Sequence, residues 1–109
     1  MKKLRKVLES IYSPAKLGAA RDRLRDLRIK EEKWRLAVAE TRANIAALEE
    51  AAQGDSALAV FVRGELARQR AELSRLEGNV RRAMSETAEE ESFLALAQEA
   101  RRLANADPA

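Results

Sequence analysis

The sequence predicts an all-α fold: an antiparallel coiled-coil helical hairpin of two long helices, preceded by a short amphipathic helix. Three observations lead there. Apolar residues recur every three and four positions over two long stretches, the pattern of a helix with one narrow buried seam. The composition is 46% hydrophobic and 36% charged, with aromatic residues only at Tyr12, Trp34, Phe61 and Phe93. Ala, Leu, Arg and Glu dominate, and they suit long, elongated seams better than a globular interior, whose stabilisation scales with bulky apolar area buried. The third observation is a breaker near the midpoint, "QGDS" at residues 53–56, which holds the only Gly between Gly18 and Gly64.

The first element is residues 1–12. Within "KKLRKVLESIY", Leu4, Val7, Leu8 and Ile11 fall at i, i+3, i+4 and i+7, while Lys2, Lys3, Arg5 and Lys6 take the other face. Ser13 is a good helix cap, and Pro14 fits a first helical turn, where its missing N–H is not needed. Three destinations suit this basic amphipathic segment. It can fold back onto Phe93, Leu96 and Leu103, dock on a partner protein or nucleic acid, or lie on an anionic membrane.

The hairpin is expected over 14–105, with a helix at 14–53, a turn at 53–56, a helix at 56–104, and a frayed tail at 105–109. In the first helix, Leu17, Leu24, Glu31, Val38, Ile45 and Ala52 occupy heptad position a. Ala20, Leu27, Trp34, Thr41 and Leu48 occupy d. In the second, Ala59, Leu66, Leu73, Val80, Thr87 and Leu94 take a, and Val62, Gln69, Leu76, Ala83, Glu90 and Ala97 take d. Near the end the apolar face is expected to rotate to Phe93, Leu96, Ala100 and Leu103. The heptad phase is preserved across the breaker, so one straight helix pairing with a second copy is the alternative. Gly54 as terminator and Asp55 or Ser56 as new cap favour the corner.

Charges at the flanking e positions give a register. The first helix carries Arg21, Arg28, Arg35, Arg42 and Glu49 there; the second carries Arg63, Arg70, Glu77, Met84 and Glu91. The expected antiparallel register pairs Glu49 with Arg63, Arg35 with Glu77 and Arg21 with Glu91, leaving Arg42 against Arg70.

Composition also narrows function. The chain has no Cys and no His. Disulfides, thiolate chemistry, imidazole metal ligands and histidine acid–base work are thereby excluded. No Gly-rich phosphate loop, nucleophile elbow or zinc spacing is present. Glu86, Glu89, Glu90 and Glu91 read as a solvated acidic face. An enzyme is not expected, nor is a cofactor, a metal or a small-molecule substrate. No apolar run approaches the roughly 20 residues that span a bilayer, and the basic N-terminus lacks the apolar core of a secretory signal. A cytoplasmic protein is the expectation. Net charge is +3, but residues 1–35 hold 12 bases against 5 acids, so an anionic partner would meet that third first.

Two sets of residues are candidates for contact. Ile29, Leu36 and Ala43 recur every seven residues at f, facing away from the seam, where a solvated helix normally places charge. They are the candidate face for a protein partner or a second copy. Lys2, Lys3, Arg5, Lys6, Arg21, Arg28, Arg35 and Arg42 are the candidate contacts for an anionic partner; for the Arg stripe the alternative is ion pairing within the hairpin. Thr41 and Gln69, with Glu31 and Glu90, are polar seam residues of the kind that set register.

Residues 24–51, "LRDLRIKEEKWRLAVAETRANIAALEEA", resemble the opening helix of the coiled-coil stalk proteins of flagellar and type III export ATPases. That resemblance implies that the second helix is the return helix of a stalk. The amphipathic segment followed by a hairpin is similar to the start of phage-shock-protein A and ESCRT-III-like membrane remodellers, which implies a membrane-associated role. No functional residue is carried over from either. The expected function is protein–protein interaction, as an adaptor, assembly subunit or inhibitor-like partner of a larger machine. A nucleic-acid-associated basic protein and a peripheral membrane hairpin are the alternatives.

Overall fold

A computed structural model describes residues 2–54 and 56–106, apart from the side chains of Lys2 and Leu4. The expectations for Asp55, for residues 107–109 and for those two side chains fall outside the described residues. The chain is an all-α helical hairpin of α1 (Lys2–Ile11), α2 (Pro14–Ala51) and α3 (Ala57–Ala106). It divides into two compact units: Met1–Ile29 with Met84–Ala109, and Lys30–Ala83.

In the unit spanning Lys30–Ala83, α2 ends where the sequence stops favouring helix. The Ala52 N–H donates to the Leu48 carbonyl at 2.8 Å, and Gln53 to Glu50 at 3.4 Å. Gly54 then takes φ of 128°, a left-handed conformation that residues with a Cβ rarely adopt. Ser56 opens α3: its hydroxyl accepts from the Ala59 N–H at 3.1 Å, satisfying a donor that the first helical turn leaves unpaired. The Arg63 guanidinium donates to the Gly54 carbonyl and ties the corner to α3. The interior of this unit holds Val38, Thr41, Ile45, Ala59, Val62, Leu66, Leu76 and Ala83. Every one is an a or d position. Trp34, Leu48, Leu73 and Val80 are half-buried at the same positions, with the Lys33 ammonium 5.8 Å from the centre of the Trp34 ring.

The other unit contains α1, the start of α2 and the end of α3. Pro14 interrupts the helix because it lacks an N–H and pushes the preceding residue out of helical geometry. The Ser13 hydroxyl caps α2 by accepting from the Lys16 N–H at 3.3 Å, and the Lys16 ammonium reaches back to the Ser10 carbonyl at 2.8 Å. Leu17, Ala20, Leu24, Thr87, Ala97 and Ala100 form its interior. The Tyr12 and Phe93 rings lie 5.4 Å apart, and Leu8 and Tyr12 line a cleft with Ala100 and Ala104. The expected rotation of the apolar face to Phe93, Leu96, Ala100 and Leu103 is met in part: Ala100 is buried and Phe93 half-buried, while Leu96 and Leu103 are exposed. Ala97, expected at d, and Ala100 take the buried places on this stretch of α3.

Glycines give opposite expectations. Gly54→Ala puts a Cβ into a left-handed backbone and is expected to destabilise the fold by more than about 1 kcal/mol. Gly64→Ala lies inside α3, where an added Cβ meets nothing within 4 Å, and is expected to stabilise it by up to about 1 kcal/mol. Urea denaturation of both variants measures the contrast.

Candidate functional site

Ion pairs within the chain decide which charges are left for a partner. In the Lys30–Ala83 unit, Arg42 meets Glu77 at 3.3 Å and Arg70 meets Glu49 at 3.2 Å. In the other unit, Arg28 meets Glu91 at 3.4 Å and Arg23 meets Glu90 at 2.8 Å. The expected pairs Arg35–Glu77, Glu49–Arg63 and Arg21–Glu91 are each displaced by one heptad, and the expected clash of Arg42 with Arg70 does not arise.

Side-chain direction explains the displacement. Helical side chains lean toward their own N-terminus. On antiparallel helices two long side chains therefore lean in opposite directions along the axis. Their heads meet only if each residue sits further toward its own C-terminus than backbone alignment suggests.

The Arg stripe is consequently divided. Arg28 and Arg42 hold acids across the hairpin, and Arg35 pairs with Glu31 on its own helix at 3.0 Å. Arg21 makes no ion pair among the described residues. In α1, Arg5 sits 3.6 Å from Glu9, while Lys3 and Lys6 are exposed. Along α3, hydrogen bonds from Arg75 and Arg102 hold the Glu72 and Glu99 carboxyls below the usual carboxylate range. No group of three or more potential metal ligands gathers among the described residues, and no described helix is long and apolar enough to cross a membrane.

The f-position residues Ile29, Leu36 and Ala43 are all exposed on α2. A feature the sequence reading missed lies beside the turn in the Lys30–Ala83 unit. Leu58, Val60 and Phe61 are exposed to 68%, 60% and 67%, while their neighbours Ala59 and Val62 are buried. The signal was present in the run "ALAVFV" at 57–62. A helix with one buried seam covers about two residues in every turn, so six consecutive apolar residues must leave several in water. In the other unit Val7 and Ile11 of α1 are exposed, as are Leu96 and Leu103 of α3. Of the three destinations open to residues 1–12, the fold-back onto Phe93 is represented by Tyr12, whose ring lies 5.4 Å from that of Phe93, while Leu8 lines a cleft with Ala100 and Ala104.

Compared with protein families, curated proteins and solved structures, the chain matches none of them. Its surface carries paired charges along the hairpin, exposed apolar residues beside its turn, and, among the described residues, cations such as Arg21 and Arg101 without an ion pair.

The register has a direct test. Arg42→Glu is expected to lower stability by about 0.2–1 kcal/mol, and adding Glu77→Arg to restore it. Pairing Arg35→Glu with Glu77→Arg is expected to restore nothing. Thermal melts at low salt read the difference.

Proposed function

We propose that this chain is a non-enzymatic helical hairpin that works by binding another protein, as an adaptor, assembly subunit or inhibitor-like partner of a larger machine in the cytoplasm. The observation that carries this reading is the exposed Leu58–Val60–Phe61 group beside the turn. Leu58 and Phe61, three residues apart on one side of α3, forgo in water the roughly 1.5–3 kcal/mol that burying each would contribute, and Val60 is exposed on another side of the helix. Neighbouring exposed apolar side chains such as Leu58 and Phe61 are where another surface gains most by completing the burial. Leu36 and Ile29 on α2 offer further contacts. In this reading the heptad seam acts as a coiled-coil scaffold that holds those residues rigidly.

The test is affinity capture from native lysate with the wild-type chain, with Leu58→Glu/Phe61→Glu, and with Ile29→Glu/Leu36→Glu. Circular dichroism should show all three equally helical. A partner held by the wild type and lost by the turn variant supports the reading. Capture unchanged by both variants, or no capture at all, overturns it.

A second reading, attachment to an anionic membrane surface, draws on one observation. Val7 and Ile11 of α1 are exposed beside Lys3 and Lys6, a combination that binds anionic bilayers through apolar area plus charge. Flotation with phosphatidylserine vesicles at low salt, abolished by Val7→Glu/Ile11→Glu, is the outcome it requires.

A further inference from the structure

We infer that an open groove between α2 and α3, in the unit that contains α1, docks an acidic amphipathic helix of the partner protein. This rests on the reading of the chain as a protein-interaction hairpin and names the chemistry of what it binds. The groove has a volume of about 580 Å³ and is floored by Leu17, Leu24 and Leu94. Arg21, Gln98 and Arg101 line it as well.

Its charge is the unusual part. Three other e-position arginines hold acids across the hairpin: Arg28 holds Glu91, Arg42 holds Glu77 and Arg70 holds Glu49, while Arg63 binds the Gly54 carbonyl. One heptad before Arg28 stands Arg21, and one heptad after Glu91 stands Gln98. The displaced register therefore brings Arg21 to a neutral amide where the series would supply a carboxylate. Arg101 is exposed on the same groove and likewise has no ion pair among the described residues, although its neighbour Arg102 holds Glu99. Glu91 also lines the groove, but Arg28 already neutralises it. Two guanidinium groups beside an apolar floor, with no acid assigned to either, call for carboxylates on an apolar ligand.

A helix meets that requirement, because leucines at i, i+3, i+4 and i+7 can enter the groove while flanking Glu residues reach the two arginines. This end of the hairpin already accepts a short helix. The chain's own α1 borders a cleft with α3 through Leu8, and Tyr12 just beyond it meets Phe93. A second copy's α1 is the wrong occupant, since Lys2, Lys3, Arg5 and Lys6 would face Arg21 and Arg101.

The experiment titrates the full chain against two fluorescein-labelled helical peptides with the same leucine face, one flanked by Glu and one by Lys, and reads anisotropy. The wild type is expected to prefer the Glu peptide by about tenfold, less at high salt. Arg21→Glu/Arg101→Glu changes exposed residues only and is expected to invert the preference. Leu58→Glu/Phe61→Glu is expected to leave it intact. Equal affinity for the two peptides, no binding of either, or an unchanged preference in the double Arg variant overturns the inference. So does dodecyl phosphate binding through the two arginines while the Glu peptide does not bind. If the groove fails while the turn variant still loses its captured partner, the interaction reading stands without this site.

Discussion

A helix whose apolar residues lie on one narrow seam gains little from folding alone in water. Its hydrogen bonds form at the expense of bonds to water, and nucleating the first turn is unfavourable. The gain comes when a second seam covers the first. Here that cover is supplied from within the chain, and it requires the backbone to reverse between Ala51 and Ala57. Gly54 makes the reversal through a φ that a Cβ would strain, and Ser56 caps the returning helix within two residues. The burial of Val38, Ile45, Val62 and Leu66 depends on that reversal.

The reversal also makes the helices antiparallel, and the ion pairs inherit a geometry from it. Arg and Glu side chains leaning toward opposite ends meet a heptad later than an alignment of sequence letters implies. In the Lys30–Ala83 unit this converts an expected Arg42–Arg70 repulsion into two attractive contacts, Arg42 with Glu77 and Arg70 with Glu49. In the other unit the same displacement engages Arg28 and leaves Arg21, on a groove that Gln98 also lines, without an ion pair among the described residues. One rule of side-chain direction thus satisfies one part of the chain and leaves an unneutralised charge in the other.

Exposed apolar residues arise from a different conflict. The run 57–62 satisfies the seam with Ala59 and Val62 and has no buried place for Leu58, Val60 and Phe61. Tyr12, just after α1, meets Phe93 of α3 and Leu8 lines the cleft beside it, while Val7 and Ile11 stay in water. Residues that the fold does not use, and that water does not favour, are where an outside surface has most to gain.

By itself the sequence determined the helices, the corner and the seam. Each seam residue named at a or d is buried or half-buried, because heptad spacing is a local property that the period of the helix converts directly into a face. Ser13 and Ser56 as caps were legible for the same reason. Of the candidate contacts, the exposure of Ile29, Leu36 and Ala43 followed from their position opposite the seam. Only the tertiary structure decided the register, which depends on side-chain lengths and directions across two helices. It likewise decided which arginines are left without acids, and which face of α1 meets α3. The exposure of Leu96 and Leu103, beside the buried Ala97 and Ala100, was also decided there.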